Sequence, residues 1–159
     1  MKILIVSDTH RKNDTYLELV EALSPLDLVI HCGDVEGSEY TLATAVDCPV
    51  RMVTGNNDFF SDLPREQEFT IGKYKVFLTH GHNYYVSMGS EIIKDEARAR
   101  RADIVMYGHT HRPSVEYCGD LIALNPGSLT YPRQEGRRPS YIVMELDESG
   151  EAHFDIEYI

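Results

Sequence analysis

Seven side chains suited to holding divalent transition metals occur in five short clusters: Asp8 with His10, Asp34, Asn56, His80, and His109 with His111. Two carboxylates, one amide and four imidazoles offer hard oxygens beside borderline nitrogens. That mixture suits Mn, Fe, Zn, Ni or Co better than calcium, which favours all-oxygen shells. Seven candidates exceed what one tetrahedral ion needs. They are about right for two ions sharing a bridging carboxylate. The i,i+2 spacing of Asp8 with His10, and of His109 with His111, turns both members of each pair the same way in an extended segment. A single D-x-H or G-D carries almost no signal. Five clusters, each directly after an expected strand, carry a great deal.

The elements that must position them show in the periodicity. Residues 2–7 (KILIVS) form a short apolar, β-branched run that predicts a buried strand ending at Asp8. Residues 14–24 predict an amphipathic helix with Leu17, Val20 and Leu23 on its inner face, stopped by Pro25. A second strand at 27–31 leads into Asp34, a short helix follows at 38–46, and a third strand at 50–53 leads into Asn56. This alternation argues for parallel strands joined by right-handed crossovers. The second half changes character. It predicts a hairpin of 67–71 with 74–79 around Gly72, a helix over 90–101 carrying Ile92, Ile93 and Ala97, and a strand at 103–107. Strands at 114–118 and 121–124 follow, joined at Gly119-Asp120, and strands near 140–146 and 152–158 close the chain. The sum is a two-sheet core flanked by helices. In open α/β sheets ligand sites gather beyond the carboxyl ends of the strands, so loops about 100 residues apart can meet at one point.

A chain of 159 residues is expected to form one domain, 1–159, with a core that needs no staples. No internal repeat or linker interrupts it. No apolar run approaches the roughly 20 residues of a membrane span, and the first apolar stretch is too short for a signal sequence. The expected address is the cytoplasm. Cys32, Cys48 and Cys118 form no C-x-x-C pair and read as small apolar residues in a reducing compartment. The formal net charge of −11 disfavours bulk binding to duplex nucleic acid.

The motifs D-x-H (8–10), G-D (33–34), G-N-x-D (55–58), H-G-H (80–82) and G-H-T-H (108–111), then Asn125-Pro126-Gly127-Ser128, resemble those of the calcineurin-like metallophosphoesterase superfamily. The short length and the Pro132-Arg133 ending are similar to its small YfcE-type phosphodiesterases of bacteria and archaea. The motifs span residues 8–133. The resemblance implies an α/β fold, a sandwich of two mixed β-sheets flanked by helices. It implies that Asp8, His10 and His111 bind one metal, that Asn56, His80 and His109 bind the other, and that Asp34 bridges them. The implied reaction is hydrolysis of a small phosphodiester by a hydroxide held between two divalent ions, Mn2+ foremost, with Ni2+, Fe2+, Zn2+ or Co2+ as alternatives. The implied assembly is a homo-oligomer, dimer or tetramer.

Asn56, Asn57 and Asp58 are the expected catalytic positions. Many members of the superfamily read G-N-H-[DE], where the His is proposed to protonate the leaving alkoxide. Asn57 has no proton to give at neutral pH. General acid catalysis typically contributes ~10²–10⁴-fold, so esters with good leaving groups should be favoured. YfcE-type members often lack this His. A phosphomonoesterase of the same fold, or a non-catalytic scaffold like the superfamily's retromer subunit, are the rival readings. That subunit has a degraded metal site, whereas all seven positions here keep coordinating side chains.

Other residues stand open. His82 reads as a substrate contact or as the group that orients His80. Arg133 reads as a contact to a phosphate oxygen or as a brace between subunits. His31 reads as a packing or supporting residue, and Gly127 and Ser128 as a tight loop under the metals. Tyr84, Tyr85 and Tyr131 flank the motifs as stacking or wall residues. Lys94, Arg98, Arg100 and Arg101 read as a solvated basic helix face.

Overall fold

The computed structural model describes residues 1–159. Ten strands form two five-stranded sheets. The first sheet is built on β1 (Lys2–Val6), β2 (Leu28–His31) and β3 (Val50–Met52), all parallel, with α1 (Asp14–Leu23) and α2 (Glu39–Thr44) as crossovers. The second holds β4 (Glu66–Ile71), β5 (Tyr74–Thr79), β6 (Ile104–Met106), β7 (Pro113–Cys118) and β8 (Leu121–Pro126), in the order β4-β5-β6-β8-β7. Here β5, β6 and β8 are parallel, and α3 (Glu91–Ala99) links the first two of them. The last strands, β9 (Ser140–Leu146) and β10 (Ala152–Tyr158), return to the first sheet, where β9 runs antiparallel to β1. Both sheets are therefore mixed.

Alternation along each strand sorts side chains into layers. Ile3, Ile5 and Ile30 face Val76, Leu78, Ile104 and Met106 across the inter-sheet core. Leu4, Val6 and Val29 point the other way, onto Tyr16, Leu19, Val20 and Leu42 of the helices. Phe77, Val105 and Ala123 do the same for the second sheet, beneath Ile93 and Ala97. The result is helix, sheet, sheet, helix.

Two expected helix faces are corrected. The inner stripe of α1 is Tyr16, Leu19, Val20 and Leu23, whose spacing fits a 3.6-residue period, and Leu17 is exposed. On α3, Ile92 is exposed while Lys94 is buried. The basic face is not simply solvated. Lys94 Nζ pairs with Glu116 at 2.7 Å, and Arg100 binds Glu66 at 2.7 Å and Glu96 at 2.8 Å while stacking over Phe77. Burial demands such partners, because an unpaired buried cation costs several kcal/mol.

The carboxyl ends of β1, β2 and β3 lie beside those of β5 and β6. No helix is long and apolar enough to cross a membrane.

Candidate metal centre

All seven candidate ligands meet in one place. The two sheets deliver them from opposite sides: Asp8, His10, Asp34 and Asn56 from loops after β1, β2 and β3, and His80, His109 and His111 from loops after β5 and β6. Asp8 Oδ1 lies 3.1 Å from His111 Nε2, 3.6 Å from His10 Nε2 and 3.8 Å from His80 Nε2. Asp34 Oδ2 lies 3.4 Å from His80 Nε2 and 3.8 Å from His10 Nε2. Asn56 Oδ1 sits 3.0 Å from both His80 Nε2 and His109 Nδ1.

Three of the four inward nitrogens, those of His10, His80 and His111, are aimed by a partner on the far side of the ring. His10 Nδ1 donates to Glu36 Oε1 at 2.8 Å, His80 Nδ1 to the Cys32 carbonyl at 2.7 Å, and His111 Nδ1 to the Tyr131 carbonyl at 2.7 Å. Such contacts fix the tautomer and leave Nε2 facing the centre. The carboxylates are held as firmly. Asp8 Oδ2 accepts from Ser7 Oγ at 2.5 Å and from the His109 N–H at 3.1 Å. Asp34 accepts from the main-chain and side-chain nitrogens of Asn57.

The backbone is bent to make this possible. Asp8, His10, Asp34, His109 and His111 all have φ between 47° and 70°. That left-handed region is uncommon for residues other than glycine, and its strain clusters at functional sites. Two glycines let the loops approach. A Cβ at Gly55 would lie 2.1 Å from Asp34 Oδ1, and one at Gly108 would lie 2.1 Å from Ser7 Oγ. Any side chain there would push a candidate ligand out of place.

The charges ask for a cation. Burial opposes ionisation of Asp8, yet the charge of His80 and the close approach of the His10 and His111 imidazoles hold its pKa well below the usual range. Burial alone would lower the pKa of His10, but the Asp8 and Glu36 carboxylates beside it raise it to about 9. Asp8 Oδ1 is buried and has no hydrogen-bond donor that satisfies it. His10 Nε2 and His111 Nε2 face each other at 3.2 Å, an arrangement that needs positive charge between or beside them. Two groups, Asp8 with His10 and His111, and Asp8 with Asp34 and His80, each bring their donor atoms within 4.8 Å of one another. The donor set fits divalent metal.

The chain matches the calcineurin-like phosphoesterase superfamily domain over residues 1–149. It belongs to that family. Metallophosphoesterases depend on metal, in keeping with the donor groups above. A probable metallophosphoesterase, YsnB of Bacillus subtilis, is 32% identical over 148 residues, covering 92% of this chain and 85% of the relative. A phosphodiesterase of Methanocaldococcus jannaschii is 28% identical, covering 80% and 83%. Among solved structures, a predicted phosphoesterase from Streptococcus pneumoniae superposes with a TM-score of 0.83 at 29% identity, covering 99% of this metallophosphoesterase chain and 88% of its own. Vps29 of Entamoeba histolytica shares the fold, with a TM-score of 0.81 at 23% identity, covering 100% and 99%.

The remaining expected site residues fall into place around this centre. The Asp58 carboxylate accepts from the main-chain N–H groups of Asp34, Glu36 and Gly55 at 2.8, 2.6 and 2.7 Å. His82 packs 5.4 Å from the His80 ring and 6.0 Å from His109, centroid to centroid. It does not orient His80, whose outer nitrogen is taken by Cys32. Arg133 borders the open cavity beside His10 and His111. Ser128 Oγ donates to the Asp8 carbonyl at 2.8 Å and receives the N–H groups of Thr130 and Tyr131, a tight loop under the centre. His31 is a supporting residue: Nε2 faces Thr9 Oγ1 at 3.0 Å and Nδ1 accepts the Gly33 N–H. Sequence reasoning missed Glu36, Ser7, Arg112 and Arg137. Glu36 and Ser7 sit within two residues of expected ligands, the one signal that pointed to them.

Proposed function

We propose that the chain is a dinuclear metal-dependent phosphodiesterase. The observation that carries this reading is the placement of Asp8 Oδ1 and Asp34 Oδ2 among inward imidazole nitrogens from both sheets. Asp8, His10 and His111 would hold one ion, Asn56, His80 and His109 the other, with Asp34 shared. Bound there, two divalent ions would supply a water of lowered pKa and charge neutralisation on phosphate oxygens. Mixed nitrogen and oxygen donors favour Mn2+ or a neighbouring transition ion.

The protein's own part is to aim and to exclude alternatives. Glu36, Cys32 and Tyr131 hold three imidazoles in the tautomer that presents Nε2. Asn57 holds the Asp34 carboxylate, and Asp58 holds the loops that carry Asp34 and Asn56, so both are positioning residues. Asn56 directs Oδ1 inward, and its Nδ2 is left to donate toward a phosphate oxygen. No side chain stands ready to protonate a leaving alkoxide at position 57, which favours diesters with good leaving groups. The phosphodiesterase name of the Methanocaldococcus relative supports diester over monoester chemistry. The likeness to Vps29 is one of fold alone, and the retained donor set favours catalysis over a scaffold role. Three free cysteines accord with a cytoplasmic address.

Stripped protein given Mn2+, Ni2+, Zn2+ or Mg2+ should hydrolyse bis(4-nitrophenyl) phosphate faster than 4-nitrophenyl phosphate. Preference for the monoester would move the reading to a phosphomonoesterase. No turnover with any metal would leave the scaffold role.

A further inference from the structure

Beside His10 and His111 opens a cavity of about 710 Å³ whose rim carries Arg112, Arg133 and Arg137. All three guanidiniums are exposed, and none lies within 4.0 Å of a carboxylate or makes a side-chain hydrogen bond within the chain. The chain has 26 acidic residues against 15 lysines and arginines, yet none of the acids engages these three, whereas Lys94 and Arg100 are paired. The one carboxylate lining the cavity, Glu36, is engaged by His10. The three cations are therefore left free to face whatever enters.

The backbone that carries two of them, Arg133 and Arg137, is held in place. The Arg133 N–H donates to the His111 carbonyl at 3.0 Å, which ties the loop carrying it to a candidate ligand. The Arg137 N–H closes a turn onto the Gln134 carbonyl, and Arg137 has φ 44°. Arg112 follows His111 directly. Arg112 and Arg133 also line a second cavity on their far side, so they form the ridge between the two.

We propose that Arg112, Arg133 and Arg137 form a subsite for a second phosphate, so that the substrate is a small phosphodiester bearing a further phosphate group. The proposal rests on the phosphodiesterase reading and narrows its substrate class. The scissile phosphate belongs at the two carboxylates, Asn56 and the imidazoles. The arginines lie to one side of it, across the cavity. Each guanidinium offers five N–H donors in a fixed fork that matches phosphate oxygens. Three of them exceed what a carboxylate's two oxygens use, and fit the larger oxygen set of a phosphate. Local positive charge here also draws a polyanion toward a protein whose net charge repels it.

Two diesters with the same reacting phosphate and leaving group separate this subsite from the metal centre. One is methyl 4-nitrophenyl phosphate; the other, 2-(phosphonooxy)ethyl 4-nitrophenyl phosphate, adds one phosphate on a two-carbon arm. In Mn2+-loaded protein kcat/KM for the second should exceed that for the first at least about tenfold, the scale of one good charged contact. The ratio should collapse toward one in the triple variant Arg112→Gln, Arg133→Gln, Arg137→Gln, and fall partway in Arg137→Gln alone. All three side chains are exposed, so folding is undisturbed. Calorimetry with inorganic phosphate on metal-free protein gives a readout without turnover: binding that weakens with salt and is lost in the triple variant. A ratio near one in the wild type, an unchanged ratio in the triple variant, or equal phosphate binding by both proteins would overturn the subsite. If neither diester is hydrolysed but phosphate binding is lost in the triple variant, the subsite stands and the phosphodiesterase reading fails.

Discussion

Asn57 donates to Asp34 twice, from its main-chain N–H to Oδ1 at 2.9 Å and from its side-chain amide to Oδ2 at 2.8 Å. The residue that stands where many members of the superfamily carry a proton donor is thus turned onto the carboxylate expected to be shared by both ions. Its side chain aims a ligand. Asn57→Ala removes the side-chain contact and keeps the main-chain one. It should weaken metal binding by about 10–100-fold, the usual effect of losing such a support. The dependence of rate on leaving-group pKa across aryl diesters should stay as steep as in the wild type at saturating metal. A flatter or steeper slope in the variant would place Asn57 at the leaving oxygen instead.

Asp58 gathers three main-chain N–H groups, from Asp34, Glu36 and Gly55. Asp58→Ala strands them in a tight, partly buried turn. Charged hydrogen bonds of this kind contribute about 1.5–3 kcal/mol each, and water will replace some of that. Metal-free protein should lose on the order of 3 kcal/mol in urea unfolding. Asp58→Asn, which keeps an acceptor for two of the three, should lose less. Equal stability of the alanine variant and the wild type would contradict the clamp.

Burial holds His31 neutral down to about pH 4, against an ordinary value of 6.5. Between those values the unfolded chain binds more protons than the folded one, so this residue's contribution to stability falls as the pH falls. His31→Asn keeps an acceptor for the Gly33 N–H and removes the titration. The stability difference between wild type and variant should therefore shrink from pH 6.5 to pH 4, by on the order of 3 kcal/mol. A difference that does not change with pH would show that His31 is already charged or is reached by solvent.

The succession of elements along the chain and the carboxyl-end address of the polar clusters were legible because they depend on local patterns: apolar runs, their polar terminations and the spacing of D-x-H and G-H-T-H; the order of strands within each sheet was not. What escaped depends on three-dimensional contact. Leu17 and Ile92 look like core residues by hydropathy alone, yet helix rotation places Tyr16 and Lys94 inward instead. Lys94 could be buried only because Glu116, 22 residues away, lies against it. Asn57 looked like a missing acid because its partner Asp34 lies 23 residues earlier. Arg112 and Arg137 carried no motif, and only the fold brings them to the cavity that His10 and His111 also line.

Two ions are expected between the sheets, and both are expected to be needed for turnover. Titrating Mn2+ into stripped protein by calorimetry, with hydrolysis of bis(4-nitrophenyl) phosphate followed on the same samples, tests this most directly. Two ions per chain are expected, with activity appearing only as the second site fills. Asp34→Asn should weaken both steps, since one carboxylate serves both ions. Saturation at a single ion per chain, or full activity with one bound, would contradict the account.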